Sequence, residues 1–299
     1  MSYLKLNLSR AGIVLILAMA GFSAPVAGAG PVIDRILSQG EIRLGFRTDA
    51  PPFSALVDGR PQGFTIDLCA LVAQSIKENA GLEAINARFV PVGTGKRFEA
   101  VAQGEIDILC GATTATLARR EVVSFSLPVF LTGVSVVMRT DAPELAQRVL
   151  LEPSPESLSP ATVASALEGL ALGVRRDTTA AAWLDEAGIG GVVQVERHES
   201  AFAALESGEL QGYFADRAIL LGQAQALKAG EGLALSKKTF THEPYALAIP
   251  RGDDDFRLAV DRALSGLYRS TAVVSLMERH FGPVSPDVAH FYRLTALPE

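Results

Sequence analysis

Residues 111–119 gather hydroxyls ahead of a guanidinium: Thr113, Thr114 and Thr116 precede Arg119. The stretch follows an apolar run at 106–110, so it leaves a strand end and enters a short helical turn, where free backbone N–H groups favour an anion. A guanidinium pairs both oxygens of a carboxylate at once. Thr114 and Arg119 therefore suit a carboxylate clamp. Asp216 ends another apolar run and precedes a helical pattern at 217–221, the place of a helix N-cap.

Other chemistries lack their residues. The mature chain holds no G-x-S-x-G elbow, and neither H-E-x-x-H nor C-x-x-C occurs anywhere. The run Gly93, Thr94, Gly95, Lys96 imitates part of a phosphate loop, but Arg97 stands where Ser or Thr is required. His198, His242, His280 and His290 have no ligand spacing, so no metal and no cofactor is expected.

The elements that must position these groups alternate short apolar runs with amphipathic helices, the rhythm of an α/β protein with helix-covered sheets. Strands are expected at 42–46, 85–92, 106–110, 134–138, 210–215 and 245–250. Thr94 is expected to cap a helix carrying Phe98 and Val101, and Ser200 a helix carrying Phe202 and Leu205. Phe98, Ala100, Gly104 and Glu105 match Phe202, Ala204, Gly208 and Glu209 at a constant offset, which implies two lobes of related design. A terminal helix at 256–268 packs back on the first lobe. The chain then crosses between lobes twice, at a two-strand hinge.

Composition sets the compartment. Lys5 and Arg10 precede an apolar run ending at Phe22, and Ala27, Gly28 and Ala29 form a cleavage site, so 1–29 reads as a signal peptide. The run is too short to span a bilayer. Removing it takes two basic and no acidic residues, leaving 25 against 33 and a net charge of −8, which argues against a nucleic-acid partner. Export also places Cys69 and Cys110 where they can form a disulfide, the alternative being two buried thiols. A Pro- and Ser-rich segment at 153–160 reads as a loop.

Several ordered motifs resemble the polar amino-acid-binding proteins of bacterial ABC importers (solute-binding protein family 3), closest to the glutamate/aspartate-binding branch. They are residues 45–53 (GFRTDAPPF), 63–68 (GFTIDL), 110–114 with Arg119, Phe125 and Ser126, and 205–208 (LESG) with Asp216. The resemblance implies a two-lobed type II periplasmic-binding-protein fold, with each lobe a mixed sheet flanked by helices. Lobe 1 is expected over 30–140 and 237–299, and lobe 2 over 141–236. It implies that Arg119 receives the ligand α-carboxylate with Thr114, Thr178 and Thr179, and that Asp216 receives the ammonium. Arg47 is implied to select the side chain, with Thr94 and Arg97 as a second contact and His198 beside them. The implied partners are an amino acid and an inner-membrane permease, and the protein is expected to be a periplasmic monomer and not an enzyme.

The pattern is broken at three places: Ala112 replaces a common Ser, Ala50 a common aromatic, and Asp177 a usual Gly or Ser. A neutral ligand such as glutamine or asparagine is therefore the alternative within the family. A dehydratase-like enzyme on the same fold, recruiting Glu243 or His198 as acid or base, is the alternative outside it.

Overall fold

The computed structural model describes residues 30–152 and 160–299. The expected signal peptide at 1–29, and residues 153–159 of the loop expected at 153–160, lie outside the described residues.

Two five-stranded sheets share one plan. In the first, Asn86–Pro91, Glu41–Phe46 and Ile108–Cys110 run parallel, followed by the antiparallel Glu243–Ile249 and the edge strand Ser124–Thr132. In the second, Val193–Val195, Leu172–Arg175 and Gly212–Asp216 run parallel, followed by the antiparallel Val134–Arg139 and the edge strand Leu233–Leu235. A small antiparallel sheet of Asp49–Ala50, Ser54–Val57 and Arg60–Gln62 flanks the first. Each antiparallel strand enters from across the molecule, so each sheet borrows one strand from the far side of the crossing.

This corrects the expected first crossing. The strand at 134–138, placed in lobe 1 by the sequence, pairs with Gly212–Asp216 in the second sheet. Hydropathy could not separate it from Ser124–Thr132, because both are apolar and only Gly133 divides them. Gly133 is where the two crossings touch: a Cβ there would lie 1.9 Å from the Thr241 carbonyl oxygen. The Val134 N–H donates to the Thr241 hydroxyl at 2.9 Å, tying the crossings together.

Alternation along the strands sorts the core. In Glu243–Ile249, Tyr245, Leu247 and Ile249 face a large cluster with Phe53, Phe64 and Phe256, while Ala246 and Ala248 face a smaller one under the helix Arg97–Ala102. Period-two alternation of large and small residues lets one strand serve two unequal layers. Each buried Phe contributes on the order of 1.5–3 kcal/mol. The disulfide Cys69–Cys110 links the helix Phe64–Asn79 to the end of a central strand.

The repeated motif marks equivalent helices, Arg97–Ala102 and His198–Ser207, and Gly104 and Gly208 adopt φ of 69° and 83° just past their ends. Neither start is the expected one. Lys96 and Arg197 are the N-cap residues, and neither caps with its side chain. Ser200 lies inside its helix because the buried His198 ring, bonded to Tyr213, already belongs to the first turn. The helix Asp254–Tyr268 packs on Phe64–Asn79, as expected, but it is not terminal, because the helices Ala272–Phe281 and Pro286–Thr295 follow it. No helix among the described residues is long and apolar enough to cross a membrane.

Candidate functional site

The C-terminal ends of parallel strands in both sheets meet at one cleft, the usual place for ligands in open α/β sheets. Arg47 follows Glu41–Phe46, Thr94 and Arg97 follow Asn86–Pro91, and Thr114 and Arg119 follow Ile108–Cys110. From the other side, Arg175 ends Leu172–Arg175, Thr178 and Thr179 follow it, His198 follows Val193–Val195, and Asp216 ends Gly212–Asp216. All nine residues singled out in the sequence line this cleft. The cavity between them is about 50 Å³ and opens to solvent.

Two residues are already engaged by a third. Glu243 Oε2 accepts from the Thr114 hydroxyl at 2.5 Å and from the Thr179 hydroxyl at 2.8 Å, and its Oε1 accepts from Thr241 at 2.7 Å. A protein carboxylate thus occupies hydroxyls that the sequence assigned to a ligand carboxylate. The turn at 117–120 also differs from expectation, because Thr116 caps it by accepting the Arg119 N–H at 3.2 Å. Thr178 likewise caps its own helix, accepting from Ala181 N–H and donating to the Arg175 carbonyl.

Arg119 Nη1 donates to the Thr114 carbonyl at 2.8 Å, and the Arg97 guanidinium donates to the Thr94 and Asp177 carbonyls. Phe98 lies under both cations, 4.4 Å from the Arg97 guanidinium carbon and 5.1 Å from that of Arg119. Such contacts hold guanidinium planes without neutralising them. Burial, and then repulsion from Arg119 and Arg47, bring Arg97 down to about 9, so it stays charged at neutral pH. Burial also lowers Arg119, against the raising influence of Glu243.

At the other end, Arg47 Nη2 donates to Asp49 Oδ1 at 2.6 Å, and Arg175 Nη1 lies 2.8 Å from Asp49 Oδ2. Burial disfavours the Asp49 charge, yet Arg47 and Arg175 outweigh it and hold the carboxyl below its ordinary range. His198 Nδ1 shares a 2.7 Å hydrogen bond with the Tyr213 hydroxyl, and burial, then Arg175, push the imidazole down to about 3. His198 is neutral. It is buried, not an exposed turn residue.

Asp216 does what its place at a strand end suggests and leaves something over. Its Oδ1 caps the helix Arg217–Ala226, accepting from Ala218 and Ile219 N–H. Its Oδ2 makes no hydrogen bond. The Thr132 and Tyr245 hydroxyls lie near enough to favour the charged form without reaching hydrogen-bond geometry, but burial prevails and raises the carboxyl to about 7.

Among the described residues, six buried side-chain nitrogen or oxygen atoms lack a hydrogen-bond partner, and Thr94 Oγ1, Arg175 Nη1 and Asp216 Oδ2 line this cleft. Buried polar atoms are normally satisfied, so their concentration here is the mark of a site built for something else. Thr94, expected as a helix cap, is free because its helix starts at Arg97.

Arg175, Tyr245 and Asp49 escaped the sequence reading. Arg47 and Asp49 lie either side of the bend at Thr48, between strands of two different sheets, so their pairing was not legible from strand alternation. Arg175 offered only a basic residue at a strand end.

The model of the bacterial extracellular solute-binding proteins, family 3, matches residues 42–283. An L-glutamate/L-aspartate-binding protein of Pseudomonas aeruginosa is 26% identical over 274 residues, covering 88% of this chain and 85% of that protein. A glutamine-binding protein of an ABC transporter from Bacillus subtilis is 27% identical over 226 residues, 75% of each chain. The crystal structure of a solute receptor for L-cysteine from Neisseria gonorrhoeae superimposes with a TM-score of 0.70 at 22% identity, covering 86% of this chain and 98% of that one. The names carry four ligands, L-glutamate, L-aspartate, glutamine and L-cysteine, and the architecture is the two-lobed type II fold.

Proposed function

The chain belongs to the bacterial extracellular solute-binding proteins of family 3, whose members bind small amino acids for ABC importers, and on that premise we propose that it captures glutamate or aspartate. The observation that carries this reading is the charge count. Four arginines, Arg47, Arg97, Arg119 and Arg175, face or line the cleft, against three carboxylates, Asp49, Asp216 and Glu243. His198 is neutral, and the Asp177 carboxylate, which also favours the charged form of Arg97, is exposed to solvent and lies outside this count of buried groups. One positive charge is left over. A zwitterionic acidic amino acid brings one net negative charge and closes the account, whereas an amide ligand leaves a buried cation unpaired, a costly state.

In this reading Arg119 receives the α-carboxylate and Asp216 Oδ2 the ammonium. Arg47, Thr94 and Arg97 receive the side-chain carboxylate, while Thr178, Thr179 and the neutral His198 shape the wall. Thr114 acts through Glu243, because its hydroxyl is spent there. Ligand binding then favours the closed arrangement of the lobes, which the permease recognises. The protein works as an exported periplasmic monomer without nucleic acid. The curated relatives are named as binding proteins, not enzymes, and the carboxylate of Glu243 and the ring of His198 are already hydrogen-bonded within the protein.

Thermal unfolding of ligand-stripped protein against all common amino acids and small dicarboxylates tests this. Ligand at a hundred times its Kd adds about 2.7 kcal/mol, several degrees in Tm. A selective shift with glutamate or aspartate supports the reading. A glutamine shift alone keeps the family and discards the acidic ligand.

A further inference from the structure

Asp49 belongs to the small sheet beside the first lobe, and Arg175 to the last position of a second-lobe strand, so their ion pair at 2.8 Å spans the cleft. Asp49 is also the partner of Arg47 at 2.6 Å. All three side chains are nearly buried, with exposures of 6%, 11% and 8% for Asp49, Arg175 and Arg47. One carboxylate is shared by two guanidiniums, which leaves the cluster one negative charge short. Arg175 Nη1 approaches Asp49 at ion-pair distance without hydrogen-bond alignment, and Arg175 lines the cleft wall.

Arg47 alone cannot supply this deficit. It and Asp49 form a neutral pair within one lobe, and such a pair presents no excess charge to a ligand side chain. The surplus arrives with Arg175, from the opposite lobe. We propose that Arg175 is a specificity-determining residue of this cleft: by sharing Asp49 with Arg47 it keeps the cluster one negative charge short, and so selects an acidic over an amide ligand side chain. The proposal rests on the reading of the cleft as an amino-acid site. It also makes selectivity a property of the closed form, because the three groups meet only when the lobes do.

The charge count gives variants with opposite expected effects. Arg175→Thr leaves the neutral Arg47–Asp49 pair, and calorimetric titration of ligand-stripped protein should show glutamate affinity falling about tenfold or more while glutamine affinity changes little. Adding Asp49→Ser to Arg175→Thr leaves Arg47 unpaired and restores the deficit, so the double variant should recover much of the glutamate preference. Arg175→Lys keeps the charge and should retain the preference, which guards against a fold that does not tolerate Thr. If the native protein prefers aspartate, aspartate and asparagine replace the pair. An unchanged acid-to-amide ratio in Arg175→Thr, or a double variant no more selective than the single, overturns the proposal while leaving the amino-acid reading intact. A native protein that responds to no amino acid removes that reading, and this proposal with it.

Discussion

At the Arg47 end of the cleft the charged groups already hold one another, with Asp49 between Arg47 and Arg175 and His198 fixed on Tyr213. At the Arg119 end, Arg97 and Arg119 bond only carbonyl oxygens across the face of Phe98, and Asp216 keeps one oxygen unbonded. The difference separates two ways of preparing a binding site. Internal ions preset orientation and tune the charge a ligand must bring, whereas guanidiniums held in no direct ion pair and a free carboxylate oxygen leave the larger part of the interaction to be made by the ligand itself. Substitutions at the Arg119 end should therefore cost more affinity than their counterparts at the Arg47 end.

Arg119→Ala should give the largest loss, about 2–5 kcal/mol of binding free energy, as expected for removing one side of a desolvated charge pair. Calorimetry that finds unchanged affinity would remove Arg119 from the site and erase the contrast. The paired replacement of Cys69 and Cys110 by Ala should lower stability by about 4 kcal/mol on the chain-entropy account, given the sequence separation of 41. Because the bridge stands behind the strand feeding the Thr114–Arg119 turn, denaturant unfolding should register the loss far more than ligand affinity does.

Asp216→Asn keeps a capping oxygen for Ala218 and Ile219 but discards the charge, and should weaken binding by about 1.5–3 kcal/mol. It also carries a pH signature. In the folded ligand-free protein the carboxyl titrates at about 7 instead of 3.8, so between those values the folded chain holds a proton the unfolded chain has released. Its contribution to stability is full below 3.8, falls as pH rises through that window and is lost above about 7. Denaturation midpoints measured from pH 4 to 8 should show this slope flattened in the variant. Binding of an ammonium favours the ionised carboxyl, so affinity should fall as pH drops below 7. Thr114→Val should have the smallest effect, about 0.5–1.5 kcal/mol of stability, since Glu243 keeps Thr179 and Thr241. A loss of affinity as large as that of Arg119→Ala would instead place the hydroxyl on the ligand.

Much of this was legible in the residues themselves. Apolar runs and two-residue periodicity located six of the ten strands of the two large sheets among the described residues, as in Tyr245 to Ile249, where large and small residues alternate because one sheet separates unequal layers, and missed Ser124–Thr132, Leu172–Arg175, Val193–Val195 and Leu233–Leu235. Thr114, Arg119 and Asp216 came from the residues at two strand ends, and the other six cleft residues from the family resemblance carried by the ordered motifs; that all nine share one cleft follows because strand ends converge in an α/β sheet. The reading failed where a decision depended on contacts far apart in sequence. Two adjoining apolar strands about Gly133 look alike until pairing assigns them to different sheets. Thr94 and Ser200 have the chemistry of caps, but the cap position belongs to whichever residue the packed helix starts after.

Composition, charge and local pattern determined the α/β class, the repeated plan and the types of group offered to a ligand, because these depend on side chains acting within about one element of chain. Only the tertiary structure decided which of those groups remain free. Glu243 took the hydroxyls of Thr114 and Thr179, and Asp49 took Arg47 and then Arg175 from across the cleft, partners separated by 129, 64, 2 and 126 positions. Pairing in a desolvated cleft is governed by distance in space, where a buried charge accepts the nearest opposite charge whatever its place in the sequence.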